Sequence, residues 1–160
     1  MNVCAIVVTY NPNIDVLTRL IESLSPQVTH IVIVDNGSLN KESISTLTSA
    51  VIRFHPLESN FGIAHAHNQG ITQARKLDAQ AVLLMDQDSV PAHDMVQNLT
   101  RSMNTLVDRG ELVSAVGACY FGADEENESF FVRFGWLRFK RQYCSECDLG
   151  KPVVPADFLI

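Results

Sequence analysis

Residues Val3 to Thr9 form an unbroken apolar run rich in β-branched side chains, the pattern of a strand buried on both faces. Asn11 and Pro12 close it. From Asn13 to Leu24 the apolar positions Ile14, Leu17, Leu20, Ile21 and Leu24 recur at helical spacing, and Asn13 suits the N-cap. The alternation repeats. His30 to Val34 predicts a second buried strand, Asp35-Asn36-Gly37-Ser38 a turn, Lys41 to Ala50 a weaker helix, and Val51 to His55 a third strand. Past Asn60-Phe61-Gly62 the spacing predicts a helix over Ala64 to Lys76, then a fourth buried strand over Ala81 to Met85 that ends at Asp86-Gln87-Asp88.

A βαβαβαβ order with strands apolar throughout implies a mostly parallel sheet covered by helices on both faces, and such sheets bind ligands at the carboxyl ends of their strands. Further on, Pro91 to Leu106 reads as helix, Glu111 to Phe121 as another strand, and Gly122 to Ser129 as an acidic loop. The aromatic and basic segment Phe130 to Tyr143 fits either a hairpin or a surface segment, and Val153 to Ile160 reads as a strand entering a sheet.

The 160 residues carry 46% apolar and 19% charged side chains, a globular balance for one core-bearing domain. A formal net charge of −6 leaves no broad cationic surface for a nucleic-acid backbone, so nucleic acid is not an expected partner. The four cysteines are few and irregularly spaced, which fits a reducing, cytoplasmic setting. There is no secretory leader pattern, and no apolar run approaches the roughly 20 residues of a membrane helix.

The candidate chemistry lies at the strand ends. Asp86 and Asp88 directly follow a predicted buried strand, where two neighbouring carboxylates need a cation. A hard divalent metal shared with the phosphates of a substrate would supply one. The competing reading is a turn that caps the next helix, with Ser89 and Pro91 in support. Asp35 ends the second strand and Thr9-Tyr10-Asn11 ends the first, so three strand ends direct polar groups to one crevice.

The motifs VVTYN, VDNGS, NFGIAHAHNQGI and LLMDQDSVP, in this order and spacing, resemble inverting glycosyltransferase family 2, and more narrowly its bacterial rhamnosyltransferase branch. The resemblance is strongest over Val3 to Val90. It implies a Rossmann-like GT-A sheet, with residues 1–121 binding a nucleotide-sugar donor and 122–160 beginning an acceptor-side region. It further implies that Thr9, Tyr10 and Asn11 line the base pocket and that Asp35 hydrogen-bonds the base. Asp86 would face the ribose, with Asp88, alongside Asp86, on magnesium or manganese. Asn60, Gly62 and Asn68 match the loop and helix beside the nucleotide. The family context suggests dTDP-rhamnose as donor, a polysaccharide (such as O-antigen) or lipid-linked acceptor, and a cytoplasmic enzyme with possible contact to the inner membrane face.

The family's general base lies downstream of the Asp-x-Asp motif, so the chain reads as truncated on its C-terminal side, with the base beyond residue 160 and little turnover of its own. Asp157 is a candidate for acceptor contact. Apolar surface left by the missing half would favour a homo-dimer through Val153 to Ile160. Other assignments stay open: a nucleotidyltransferase, although residues 1–13 lack its glycine-rich loop and basic residue, or a non-catalytic nucleotide-binding module. His65 and His67, two apart on a helix, do not share a face and read as ordinary, while Cys144 and Cys147 make only half of a zinc-site spacing.

Overall fold

A computed structural model describes residues 1–118, 130–134 and 139–143. They fall into two compact units, Met1–Val96 and Gln97–Ile160.

In the first unit, β1 (Val3–Thr9), β2 (His30–Asp35), β3 (Ile52–Pro56) and β4 (Ala81–Asp86) form one sheet in the order β3-β2-β1-β4, with every pairing parallel. β1 and β2 are central, which accounts for their continuous apolar sequence. On one face α1 (Ile14–Leu24) buries Leu17, Leu20, Ile21 and Leu24 in a core with Ala5, Val7, Ile31, Ile33, Ile44 and Ile52. On the other, α3 (Ile63–Arg75) lays Ala66 and Ala74 against Cys4, Ile6, Val32 and Val34. The α/β sheet with helices on both faces is therefore as the sequence predicts.

Local rules explain most boundaries. Asn13 caps α1, its side-chain oxygen accepting from the Asp15 and Val16 backbone N–H groups at 3.0 and 3.2 Å. That satisfies two donors the helix cannot. α3 carries Ala66, Gly70 and Ala74 on its buried stripe, so its backbone lies close to the sheet. A Cβ at Gly70 would collide with Ile6 Cγ2 and sit 3.2 Å from Val34 Cγ2.

Four expectations are corrected. α2 is Lys41–Ser45 and does not reach Ala50. The hydroxyls of Ser45, Thr46 and Thr48 donate to the carbonyls of Glu42, Ser43 and Ser45, the local competition by which Ser and Thr end helices. β4 is not buried on both faces: it is an edge strand of this sheet, Leu83 and Met85 face the α1 core, and Val82 and Leu84 are 41% and 46% exposed. The fourth helix, α4, is Met95–Asp108 and starts later than Pro91. Residues 91 and 92 instead use their carbonyls to accept from Ser23 Oγ and Gln27 Nε2. Residues 111–118 form no strand.

In the second unit β5 (Phe130–Phe134) and β6 (Phe139–Tyr143) pair antiparallel, Phe130 opposite Tyr143 and Phe134 opposite Phe139, so the hairpin alternative holds for this segment. The expected acidic loop, the Cys144/Cys147 pair, Asp157 and the Val153 to Ile160 strand lie outside the described residues. Among the described residues no helix is long and apolar enough to cross a membrane.

Candidate functional site

The parallel sheet brings the ends of β1, β2 and β4 to one edge, beside the start of α3. There an open crevice of about 470 Å³ is lined by Val8, Tyr10, Asn36, Asn60, Ile63, Asp86, Gln87 and Asp88.

Asp86 and Asp88 both line it, and both are exposed. Neither carboxylate has a hydrogen-bond or ion-pair partner among the described residues, so the helix-capping reading of this turn finds no support in its contacts. Two free carboxylates beside one crevice fit a hard cation that draws its remaining ligands from substrate phosphates and water. Among the described residues no group of three His, Cys, Asp or Glu side chains converges on a metal position. The donor set thus suits a cation shared with a ligand rather than one caged by protein.

Asp35 is placed differently. It is fully buried, and its carboxylate accepts from the Thr9 hydroxyl at 3.1 Å, from the Ser38 backbone N–H at 3.0 Å, and from the Ser38 hydroxyl in a short bond. These donors compensate a carboxylate taken out of water. The Ser38 oxygen in turn accepts from the Asn11 N–H at 2.8 Å, and the Asn11 side chain accepts from the Leu39 N–H at 2.8 Å. Thr9, Asn11 and Asp35 together lock the end of β1 to the end of β2. None of the three lines the crevice.

The neighbour Asn36 lines it instead. Its side-chain oxygen accepts from the Phe61 N–H at 3.0 Å and its Nδ2 donates to Asn60 Oδ1 at 2.9 Å. Asn60 Oδ1 accepts a second bond, from the Gly62 N–H at 2.9 Å. Backbone N–H groups can only donate, so both amide orientations are fixed by the chain. Gly37 permits this junction. It has φ +85°, and a Cβ there would lie 2.7 Å from the Ser59 carbonyl carbon. Gly62, also at φ +85°, opens α3.

Asn68 is exposed on α3 and does not line the crevice, because it lies two residues from the buried positions Ala66 and Gly70 and so on the opposite side of the helix. His65 makes a tilted ring contact with Phe61, centroids 5.1 Å apart and planes 41° from parallel, consistent with an ordinary surface role. The sequence reading omitted four wall residues: Val8, Asn36, Ile63 and Gln87. Asn36 stands inside the turn motif and Gln87 between the two aspartates, so their positions were visible, but their contacts depend on which strands become neighbours.

Comparisons with known proteins agree with this architecture. The family model described as glycosyl transferase family 2 matches residues 4–153. The dTDP-rhamnosyl transferase RfbF of Shigella flexneri is 31% identical over 105 residues, covering 64% of this chain and 35% of that protein. A crystal structure of S. aureus TarS 1-349 superposes with a TM-score of 0.50 at 21% identity, covering 66% of this chain and 33% of that one, a likeness of fold alone. The matched part thus spans about a third of each relative's length. With its strand-end motifs gathered on a parallel sheet and the family model running along nearly the whole sequence, the chain belongs to glycosyl transferase family 2.

Proposed function

We propose that this chain is the donor-binding part of a metal-dependent, inverting glycosyltransferase that takes a sugar from a nucleoside diphosphate, with L-rhamnose from dTDP-rhamnose as first choice. The observation that carries the reading is the pair of exposed, unpartnered carboxylates, Asp86 and Asp88, on the wall of a crevice at the carboxyl edge of a parallel sheet. The family membership and the RfbF likeness support the sugar-transfer class and the donor named first.

In this reading Asp88, aided by Asp86, holds magnesium or manganese, while Asp86 also faces the ribose. The bound ion would neutralise the diphosphate and so favour its departure from the sugar. Tyr10, 49% exposed at the end of β1, offers its ring as a face for the base. Asn60, whose oxygen is already engaged twice, leaves its amide nitrogen without a partner among the described residues and so able to donate to the nucleotide. Asp35 contributes indirectly, by fixing the strand ends that carry Tyr10 and Asn36.

Inversion requires a single displacement, in which the acceptor hydroxyl attacks the anomeric carbon and gives its proton to a general base. Asp86 and Asp88 are the carboxylates of the crevice wall and are both committed to the donor side. The base and the contacts to a saccharide or lipid-linked acceptor therefore belong to other residues, Asp157 being one candidate for acceptor contact. A cytoplasmic setting, at the inner membrane face where the acceptor is lipid-linked, completes the proposal.

The test is calorimetric titration of dTDP, UDP and GDP, with and without manganese, on this chain and on Asp88→Ala. Manganese-dependent binding of one nucleotide, lost in Asp88→Ala, is the expected result. Absence of binding by folded protein would reject the donor-binding role and leave a non-catalytic interaction module.

A further inference from the structure

The segments that build the crevice wall are tied together unevenly. The end of β1 is bound to the end of β2 by four contacts: Asn36 N–H to the Thr9 carbonyl at 2.7 Å, Thr9 to Asp35, Asn11 to Ser38, and Leu39 to Asn11. The β2 end is bound to the loop before α3 through Asn36, Asn60, Phe61 and Gly62. The turn after β4, which follows Asp86 and carries Asp88, has far less. Its strand ladder stops at Val8 opposite Asp86, and its next anchor is the Pro91 carbonyl, held by Ser23. Between these points Gln87 makes the only side-chain hydrogen bonds among the described residues.

Those bonds are made to a single peptide unit on each side of Tyr10. The Tyr10 N–H donates to Gln87 Oε1 at 2.8 Å, and Gln87 Nε2 donates to the Tyr10 carbonyl at 3.4 Å. The side-chain amide thus grips both backbone groups of Tyr10 just past the last β1–β4 pair, Val8 opposite Asp86, which a trans peptide cannot do because its C=O and N–H point to opposite sides. A primary amide suits this, since it carries an acceptor and a donor on adjacent atoms. A carboxylate could keep the first bond alone, and a thioether neither. The backbone of Tyr10, a residue of the crevice lining, is held while its side chain makes none of these bonds.

We propose that Gln87 is a positioning residue that fixes the Asp86–Asp88 turn against Tyr10, so that the cation-binding carboxylates and the ring face keep their spacing before a nucleoside diphosphate arrives. The proposal rests on the donor-binding reading of the crevice. Gln87 acts by preorganisation, sparing the donor the ordering of an otherwise untethered turn.

The test uses the ¹⁵N-labelled chain without ligand, together with Gln87→Met and Gln87→Glu, followed by titration with dTDP in manganese. Gln87→Met should speed hydrogen exchange at the Tyr10 amide about tenfold, leave the Val7 amide inside β1 unchanged as a control for folding, and weaken dTDP binding about tenfold. Gln87→Glu should restore slow exchange at Tyr10, because its carboxylate still accepts the shorter bond. Unchanged Tyr10 exchange in Gln87→Met, with dTDP binding either kept or lost, would overturn the proposal, the latter pattern marking a direct ligand contact instead. If the unaltered chain binds no dTDP, the donor-binding reading fails, and the role given to Gln87 fails with it even where Tyr10 exchange responds.

Discussion

Asn36 and Asn60 meet head to tail across the crevice wall, Asn36 Nδ2 donating to Asn60 Oδ1 over 2.9 Å. Asn36 is 4% exposed, and both side-chain oxygens also accept from the backbone of the loop before α3, at Phe61 and Gly62. The pair fixes the loop to the β2 end. Asn36→Ala removes two of these bonds and leaves the Phe61 N–H without its partner, so it should lower stability by about 1–3 kcal/mol, read as a reduced urea midpoint with an unchanged slope. Asn60→Asp keeps both accepting roles and should fold with little loss.

Gly70 and Gly37 are predicted to resist even one added methyl, for different reasons. At Gly70 the obstacle is Ile6, a β-branched side chain inside the central strand, and the cost of Gly70→Ala should be about 1–3 kcal/mol of overpacking. At Gly37 the obstacle is backbone, that of Ser59 and Asn60, added to a φ of +85°. Gly37→Ala should therefore shift the thermal midpoint further than Gly70→Ala, and it should also weaken nucleotide binding, because the displaced loop carries Asn60.

The Cys4 thiol lies in the α3-side core, and burial pushes it up to about 11 from an ordinary value of 9.0. Its folded value is raised, so its contribution to stability is complete below pH 9 and is lost as the pH climbs from 9 towards 11, where the unfolded chain ionises first. The loss attributable to Cys4 should be on the order of 2 kcal/mol. It can be isolated by comparing the pH dependence of urea midpoints for the unaltered chain and Cys4→Ala. Mass-resolved labelling at pH 8 should leave Cys4 unmodified until the protein is unfolded.

The two crevice aspartates should behave as one unit in cation binding. Asp86→Asn and Asp88→Asn should each reduce manganese-dependent dTDP affinity by about tenfold or more, and the double variant should lose less than the sum of the two. Chelating the metal should bring the unaltered chain close to the double variant. Because both side chains are exposed and unpartnered, thermal midpoints should stay within about 0.5 kcal/mol equivalent of the unaltered chain, and a large fall in stability would mark them as structural instead.

The amino-acid sequence by itself determined the order of elements, because continuous apolar strands and a helical stripe such as Leu17, Leu20, Ile21 and Leu24 encode burial within a short window. It also marked the strand ends as the place for chemistry, and Asp86 and Asp88 do stand on the crevice wall. It could not assign the partners of those ends. Asp35 and Asp86 look alike along the chain, each an acid that ends an apolar strand. The fold buries the first under Thr9 and Ser38 and leaves the second in the open, because β2 is a central strand while β4 is an edge strand of this sheet. The one-sided exposure of Val82 and Leu84 has the same origin. Likewise Gln87 meets Tyr10 only because β4 comes to lie beside β1, a neighbour relation between residues 77 positions apart that no local pattern carries.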